Sequence, residues 1–265
     1  MEQKYHSLFR WELVREAAIG IAREEPVLRN LLEALVIKHP DFEHALAALL
    51  ANQCIFAHEG IDLHRAINET LEKDKSIAEY AVYDLVAVVE KDPASGDFLE
   101  PFLFYKGYHS LELYRVAHRL WADGQHYLAY YIQSRVSQLF GVDIHPAARI
   151  GKGIFIDHAT GLVVGETAVI EDNVSILHGV TLGGTGKETG KRHPTIRKDC
   201  LLGAHATVLG NIVVGEGSVI GAGSVVLHTV PAHSLAAGVP ATNKGHIRIQ
   251  EPSNSMDQIF DDYVI

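Results

Sequence analysis

Cysteine is nearly absent from this 265-residue chain, which holds only Cys54 and Cys200. Two distant thiols exclude a disulfide framework and a CxxC metal knuckle, and they suit a reducing compartment, read here as the cytoplasm. Long apolar runs are missing too. The first 25 residues mix charged and apolar side chains without the apolar core of a secretory signal, and no stretch is long enough to span a bilayer, so no membrane partner is expected. Positive charge is in deficit, 23 Lys plus Arg against 33 Asp plus Glu for a net −10, which repels phosphate polymers; no nucleic-acid partner is expected. Polar low-complexity tracts are lacking, and with 47% hydrophobic and 21% charged residues the chain has the composition of a folded protein.

Glycine is scarce in one half only. Residues 1–140 hold five, Gly20, Gly60, Gly96, Gly107 and Gly124, and the other eighteen follow. The first half carries apolar residues at helical spacing in Leu28, Leu31, Leu32, Leu35 and Val36, and again in Leu111, Tyr114, Val116 and Leu120. Pro26, Pro40 and Pro93 stand where helices can start, and Gly124 and Gly141 where they can stop. Residues 1–140 are therefore expected to form an α-helical domain of about six to eight helices.

From residue 141 a six-residue period takes over. Aliphatics recur at Ile144, Ile150, Ile156 and Leu162, then after a two-residue slip at Val164, Ile170, Ile176 and Leu182. After an interruption they resume at Ile196, Leu202, Val208, Val214, Ile220 and Val226. The fifth slot is small or β-branched, as in Ala148, Thr160, Ala168, Val174, Val180, Cys200, Ala206, Ser218, Ser224 and Val230; the second is often Gly. This pattern predicts a prism of short strands whose first and fifth slots point inward, with a tight corner between them. Three sides make one coil of about eighteen residues, and coils stack at about the 4.8 Å strand spacing. An ordinary parallel sheet would need crossovers of about a dozen residues, and none fit. The expected organisation is α+β: helices over 1–140, a β-helix over 141–249 with a loop protruding at 183–195, and a polar, mobile tail over 250–265.

With three hexads per coil, Ile156, Ile176, Leu202 and Ile220 fall on one side, so their third slots, His158, His178, Ala204 and Ala222, should stack as two imidazoles followed by a narrow track. A neutral imidazole is the side chain that takes a hydroxyl proton near pH 7. From pattern alone His158 is equally a solvated corner and a base. Asp143 and Asp157 are the neighbouring carboxylates, though adjacent strand residues point to opposite faces. Asp92 reads by itself as a helix stop before Pro93. The interruption from Gly183 to Thr195 carries four glycines, Lys187, Lys191, Arg192 and His193, and loops of that length inside compact repeats are usually functional. It lacks the glycine spacing of a P-loop.

The hexads, the loop after Leu182 and the closing Gly238, Val239, Pro240 and Ala241 resemble the hexapeptide-repeat acyltransferases. The large helical front, the Asp157–His158 pair and the Arg192–His193 pair resemble, within them, the serine acetyltransferases. The resemblance implies a left-handed parallel β-helix, a winding that chain physics alone would not select. It implies acetyl transfer from acetyl-CoA to L-serine, with His158 as base, Asp143 as its orienting carboxylate and His193 in the active site. Asp92 and Asp157 would hold the amino group of serine, Arg192 its carboxylate, and His178 would line the acceptor site. The pantetheine arm would lie along Gly184, Thr185, Ala204 and Ala222, with Lys244 and Arg248 available to the CoA phosphates. No metal is implied. Neither cysteine suits an acyl intermediate, Cys200 pointing inward and Cys54 falling in a helical segment, so direct attack in a ternary complex is expected. The resemblance further implies a trimer, paired into a hexamer through the helical domains with sites between subunits; inhibition by L-cysteine; and docking of the C-terminal Ile265 in O-acetylserine sulfhydrylase.

Two other classes fit parts of the pattern. A zinc hydratase of the gamma carbonic anhydrase type would use some of the sixteen histidines, His228 and His233 being suitably spaced, but His228 falls on a different side of the prism from His158 and the helical front has no place there. A non-catalytic scaffold would make the histidine column accidental. A hexapeptide acetyltransferase for sugars or antibiotics keeps the chemistry but generally lacks the helical front.

Overall fold

The computed structural model describes residues 8–53, 61–186, 189–260 and 263–264. Cys54, Lys187 and Ile265 lie outside the described residues. Helices occupy Trp11–Glu24, Phe42–Gln53, Leu63–Lys73, Ser76–Lys91, Leu99–Phe104, Lys106–Ala122 and His126–Phe140, with a broken helical stretch over 26–37. Trp11–Glu24 buries one stripe, Trp11, Val14, Ala18 and Ala22, as a surface helix should. Lys106–Ala122 instead buries every residue from Gly107 to Ala117, which makes it the helix that the others and the β-helix enclose. Its Gly107 is obligatory: a Cβ there would stand 2.1 Å from the Ile156 carbonyl oxygen. Gly141 ends the last helix in the left-handed region at φ 67°. Pro93 starts no helix; it lies in the turn after Ser76–Lys91, and the next helix begins at Leu99, where the Asp97 carboxylate accepts the Leu99 and Glu100 N–H groups at 2.8 and 3.0 Å.

The second half is the prism. Strands β1 (Asp143–Ile144), β4 (Val163–Val164), β7 (Thr181–Gly183), β10 (Thr207–Leu209) and β13 (Val225–Val226) form one side. β2 (Arg149–Ile150), β5 (Val169–Ile170), β8 (Thr195–Ile196) and β11 (Val213–Val214) form the second. β3 (Phe155–Ile156), β6 (Ser175–Ile176), β9 (Leu201–Leu202), β12 (Val219–Ile220) and β14 (Ser234–Gly238) form the third, which β15 (Ala241–His246) extends antiparallel. From β1 to β10 each strand thus pairs in parallel with the third strand on, as three-sided coils require, and β12 pairs with β14. Val163 pairs with Thr181 and Leu201 with Val219, both eighteen residues apart. The slip lengthens the step to twenty, Phe155 to Ser175, and the loop to twenty-six, Ser175 to Leu201.

The first-slot aliphatics point inward and nearly all are buried. Cys200, Ala148, Ala168 and Ala206 fill inward fifth slots as expected. Thr160 does not. It is exposed, while Leu162 is fully buried and its N–H donates to the Ala159 carbonyl, the turn bond that fifth-slot residues make elsewhere, as Ala168 does to Gly165. Leu162 is therefore a fifth slot, and the slip is two extra residues inserted in the corner after β3. His158 and Ala159 both take positive φ there, 55° and 59°. The mobile tail is also corrected in part: Pro252–Ser255 is a short docked helix with Pro252 and Ser253 buried, because Ser253 finds hydrogen-bond partners inside.

One buried ionic cluster joins the halves. The Asp84 carboxylate accepts from the Arg115 guanidinium, with Nε at 2.9 Å, and from the Ile154 N–H at 2.7 Å, while Arg115 Nη2 donates to the Gly151 carbonyl at 2.7 Å. Burial, reinforced by the Asp84 charge, holds the neighbouring Glu112 carboxyl well above the usual carboxylate range. Removing one partner of a buried pair strands the other. Asp84→Ala should cost about 3–5 kcal/mol, read as a large fall in the thermal unfolding midpoint; an unchanged midpoint would show that the cluster does not secure the junction.

Candidate active site

A cleft of about 1160 Å³ opens where the two halves meet. Its walls are the turn Asp92–Ser95, the helix junction Phe104–Gly107, the corner Phe155–Thr160 and the C-terminal Asn254, Ser255, Met256 and Gln258. Three sequence-predicted residues are thereby brought together: Asp92, Asp157 and His158. Asp92 does both things open to it, since its Oδ1 accepts the Ala94 N–H at 2.9 Å to close the turn and the residue lines the cleft. The two extra corner residues push His158 outward, leaving its side chain 76% exposed with Nε2 3.6 Å from Asp157 Oδ1. Burial raises the Asp157 pKa, His158 opposes this, and the Asp92 charge adds to the rise. Two carboxylates whose charges repel across one cleft suit a cationic group between them.

The third-side register aligns Ile156, Ile176, Leu202 and Ile220, but the corner insertion puts Thr160, not His158, in the third slot before His178: Gly179 N–H donates to the Thr160 carbonyl as His205 N–H does to that of His178. The His158 and His178 rings stand edge-to-face at 6.0 Å. The column continues through His205, 4.8 Å from His178, a residue the sequence reading missed because it counted third slots only and His205 occupies a fourth. Tyr105 was missed as well; it lines the cleft, and its phenol is pushed up to about 12 by burial and by the nearby Asp92 and Glu100. Helical periodicity offered no signal for it.

The remaining predicted residues do not line the cleft. The Asp143 carboxylate accepts from Gln133 Nε2 at 2.6 Å, and among the described residues it makes no hydrogen bond to His158. Arg192 and His193 sit at the corner between the first and second sides, one prism corner away from His158. Arg192 Nη2 pairs with Glu166 Oε2. Thr167 Oγ1 accepts the N–H groups of Arg192 and His193 at 3.0 and 3.1 Å. The His193 ring covers Gly165, where a Cβ would come within 2.1 Å of it. Burial and the Arg192 charge lower the His193 pKa, favouring neutral imidazole. Gly184 and Thr185 belong to this corner, Thr185 against Gly210; Ala204 and Ala222 belong to the His158 corner. Among the described residues no group of three His, Cys, Asp or Glu side chains could hold a metal ion, and no helix is long and apolar enough to cross a membrane.

Stacked hexapeptide coils, a helical front and an exposed imidazole beside carboxylates define a hexapeptide-repeat acyltransferase. Comparison with known proteins agrees. The profile "Serine acetyltransferase, N-terminal" matches residues 10–113, and "Bacterial transferase hexapeptide (six repeats)" matches 193–228. Serine acetyltransferase 4 of Arabidopsis thaliana is 49% identical over 251 residues, covering 93% of this chain and 70% of that one. Serine acetyltransferase of Salmonella typhimurium is 48% identical over 251 residues, covering 94% and 92%. Among solved structures, serine acetyltransferase from Vibrio cholerae superposes with a TM-score of 0.92 at 49% identity over 95% of this chain and 98% of that one. The enzyme from Brucella abortus in complex with coenzyme A matches at 0.86 and 48% identity, covering 89% and 95%. A serine acetyltransferase in complex with cysteine matches at 0.91 and 44%, covering 98% and 100%. The chain belongs to the serine acetyltransferase family, and its β-helix winds left-handed as in that family.

Cys200 is fully buried, and burial pushes its thiol up to about 12, so the thiolate needed for an acyl intermediate is withheld. Iodoacetamide at pH 8 should leave the Cys200 peptide unlabelled in folded protein and label it after denaturation, as read by mass spectrometry; rapid labelling of folded protein would reopen covalent catalysis.

Proposed function

We propose that the chain transfers acetyl from acetyl-CoA to the hydroxyl of L-serine, giving O-acetyl-L-serine and CoA. The observation that carries this is the exposed His158 imidazole in one cleft with Asp92 and Asp157. His158 takes the serine hydroxyl proton as the oxygen attacks the thioester carbonyl; the tetrahedral adduct then expels the CoA thiolate, and the proton passes from the imidazolium to the sulfur. Asp92 and Asp157 hold the serine ammonium, and His178 backs the ring.

Asp143 is proposed as the orienting carboxylate. What supports it is backbone proximity: its N–H donates to the Leu162 carbonyl at 2.9 Å, at the end of the His158 corner. Gln133 holds only Oδ1 of this carboxylate, and Oδ2 is the oxygen proposed to face the ring. Arg192, His193, Gly184 and Thr185 occupy a different corner from His158, Ala204 and Ala222, so one chain supplies two half-sites. A trimer places the Arg192 corner of one subunit against the His158 corner of the next, with Arg192 for the serine carboxylate and the pantetheine arm between Gly184, Thr185, Ala204 and Ala222. The helical domain is proposed as the surface that pairs trimers into a hexamer. L-Cysteine, isosteric with serine apart from sulfur, is the proposed inhibitor at the acceptor site. Docking of Ile265 in O-acetylserine sulfhydrylase is proposed on the resemblance alone.

His158→Ala should lower kcat by about 10²–10⁴-fold, followed by thiol release from acetyl-CoA; a fall of less than about threefold would sink the base assignment. The carboxylates should separate kinetically. Asp143→Asn should act on kcat, whereas Asp157→Asn should chiefly raise the KM for serine, and the reverse pattern would exchange their roles. Co-assembling inactive His158→Ala with inactive Arg192→Ala chains should restore activity, since some sites then combine two intact corners; no recovery would place the site within one chain.

A further inference from the structure

Among the described residues Arg115 and Lys91 are buried cations; Arg115 serves the junction cluster, and Lys91 has no role yet. It ends the helix Ser76–Lys91, immediately before Asp92, and is only 6% exposed. Its Nζ donates to the Gly153 carbonyl at 3.2 Å, to Ser175 Oγ at 3.3 Å and to Ser253 Oγ at 2.9 Å, which uses all three ammonium protons. The two serines are linked in turn, Ser175 Oγ donating to the Ser253 carbonyl at 3.0 Å with the two Oγ atoms 2.8 Å apart. Ser253 N–H reaches the Asp199 carbonyl at 3.3 Å. Burial works against the ammonium and lowers its pKa to about 7, while Asp84, Asp199, Glu90 and Glu251 favour the charge.

The three partners tie the end of this helix to the third side of the β-helix and to the C-terminal segment. Gly153 leads into Phe155–Ile156 and the corner of Asp157 and His158. Ser175 lies on the strand beside it. Ser253 leads into Asn254, Ser255, Met256 and Gln258, which line the cleft. A second contact fixes the same segment: Met256 packs on the cluster Leu177, Leu201, Val219, Leu235 and Ile247.

We propose that Lys91 is a positioning residue for the acceptor, its ammonium clipping the C-terminal segment 252–258 onto the β-helix so that this segment forms a fixed wall of the serine cleft. This rests on reading the cleft as the serine site. Lys91 borders the cleft, but Gly153, Ser175 and Ser253 take its three ammonium protons, so it acts through the segment it holds and through the end of the helix that presents Asp92.

The test uses the full-length assembled enzyme with Lys91→Met and, separately, Ser253→Ala, which leaves Lys91 its Gly153 and Ser175 partners and so carries the test should Lys91→Met fail to fold. Amide hydrogen exchange over residues 253–258 is measured beside steady-state kinetics for both substrates. Exchange should accelerate about tenfold or more. The KM for serine should rise about tenfold, while kcat and the KM for acetyl-CoA stay within about threefold. Unchanged exchange would show that Lys91 does not clip the segment. Faster exchange with an unchanged serine KM would show that the segment is no wall of the acceptor site, and equal losses for both substrates or a collapse of kcat would mark general damage; each overturns the proposal. Wild-type protein inactive on serine would instead sink the acceptor reading, and the exchange measurement would still decide whether the clip exists.

Discussion

The structure depends on the pairing of each short strand with the strand one coil away. Val163 on Thr181 and Thr181 on Thr207 align the inward aliphatics Val164, Leu182 and Val208, and the same holds on the other two sides. Strands of two or three residues would be negligible alone. Stacked, they share a continuous column of buried side chains, each contributing about 1.5–3 kcal/mol relative to exposure. Because that column must stay in register, added residues can be accommodated only at corners. Both irregularities of the repeat, the slip and the loop, are found there, and both carry candidate site residues.

The slip shows how this constraint produces chemistry. Two extra residues after β3 leave the next strand in register but force His158 and Ala159 into the left-handed region, at a cost of about 1–2 kcal/mol for each non-glycine residue. Ala159 turns inward and is fully buried; His158 turns outward into the cleft. The helical half closes that cleft from the other side, and its closeness is set by Gly107 against Ile156 and by Asp84 and Arg115 across the junction. The same packing makes Lys91 a meeting point of helix, β-helix and C-terminal segment.

Much of this is legible in the sequence because the repeat is local. Inward aliphatics, the helical front and Gly141 as a helix end all follow from spacing. The failures come where spacing carries no information, in how a corner is built and in which tertiary partners a polar stretch meets. Thr160 occupies the counted fifth slot, yet Leu162 fills it in space. Ser253 sits in a polar stretch that reads as tail, yet it is buried because Lys91 and Ser175 satisfy its hydroxyl. His205 lies one slot from the counted column and still meets His178, since the corner turns its backbone to φ 58°.

Spacing along the chain was enough for the architecture, because a six-residue period with inward aliphatics stacks as three-sided coils, whereas the left-handed winding and the roles of His158, Asp157, Asp92, Arg192 and His193 came from the resemblance to a family. Which of those residues share a site was left to the packing of the folded chain. It gathered Asp92, Asp157 and His158 from segments distant along the chain, left Asp143 on Gln133, and put Arg192 and His193 at another corner. The reason is geometric: a three-sided prism separates its corners by the width of its own packed core, so residues close in sequence pattern can face different neighbours.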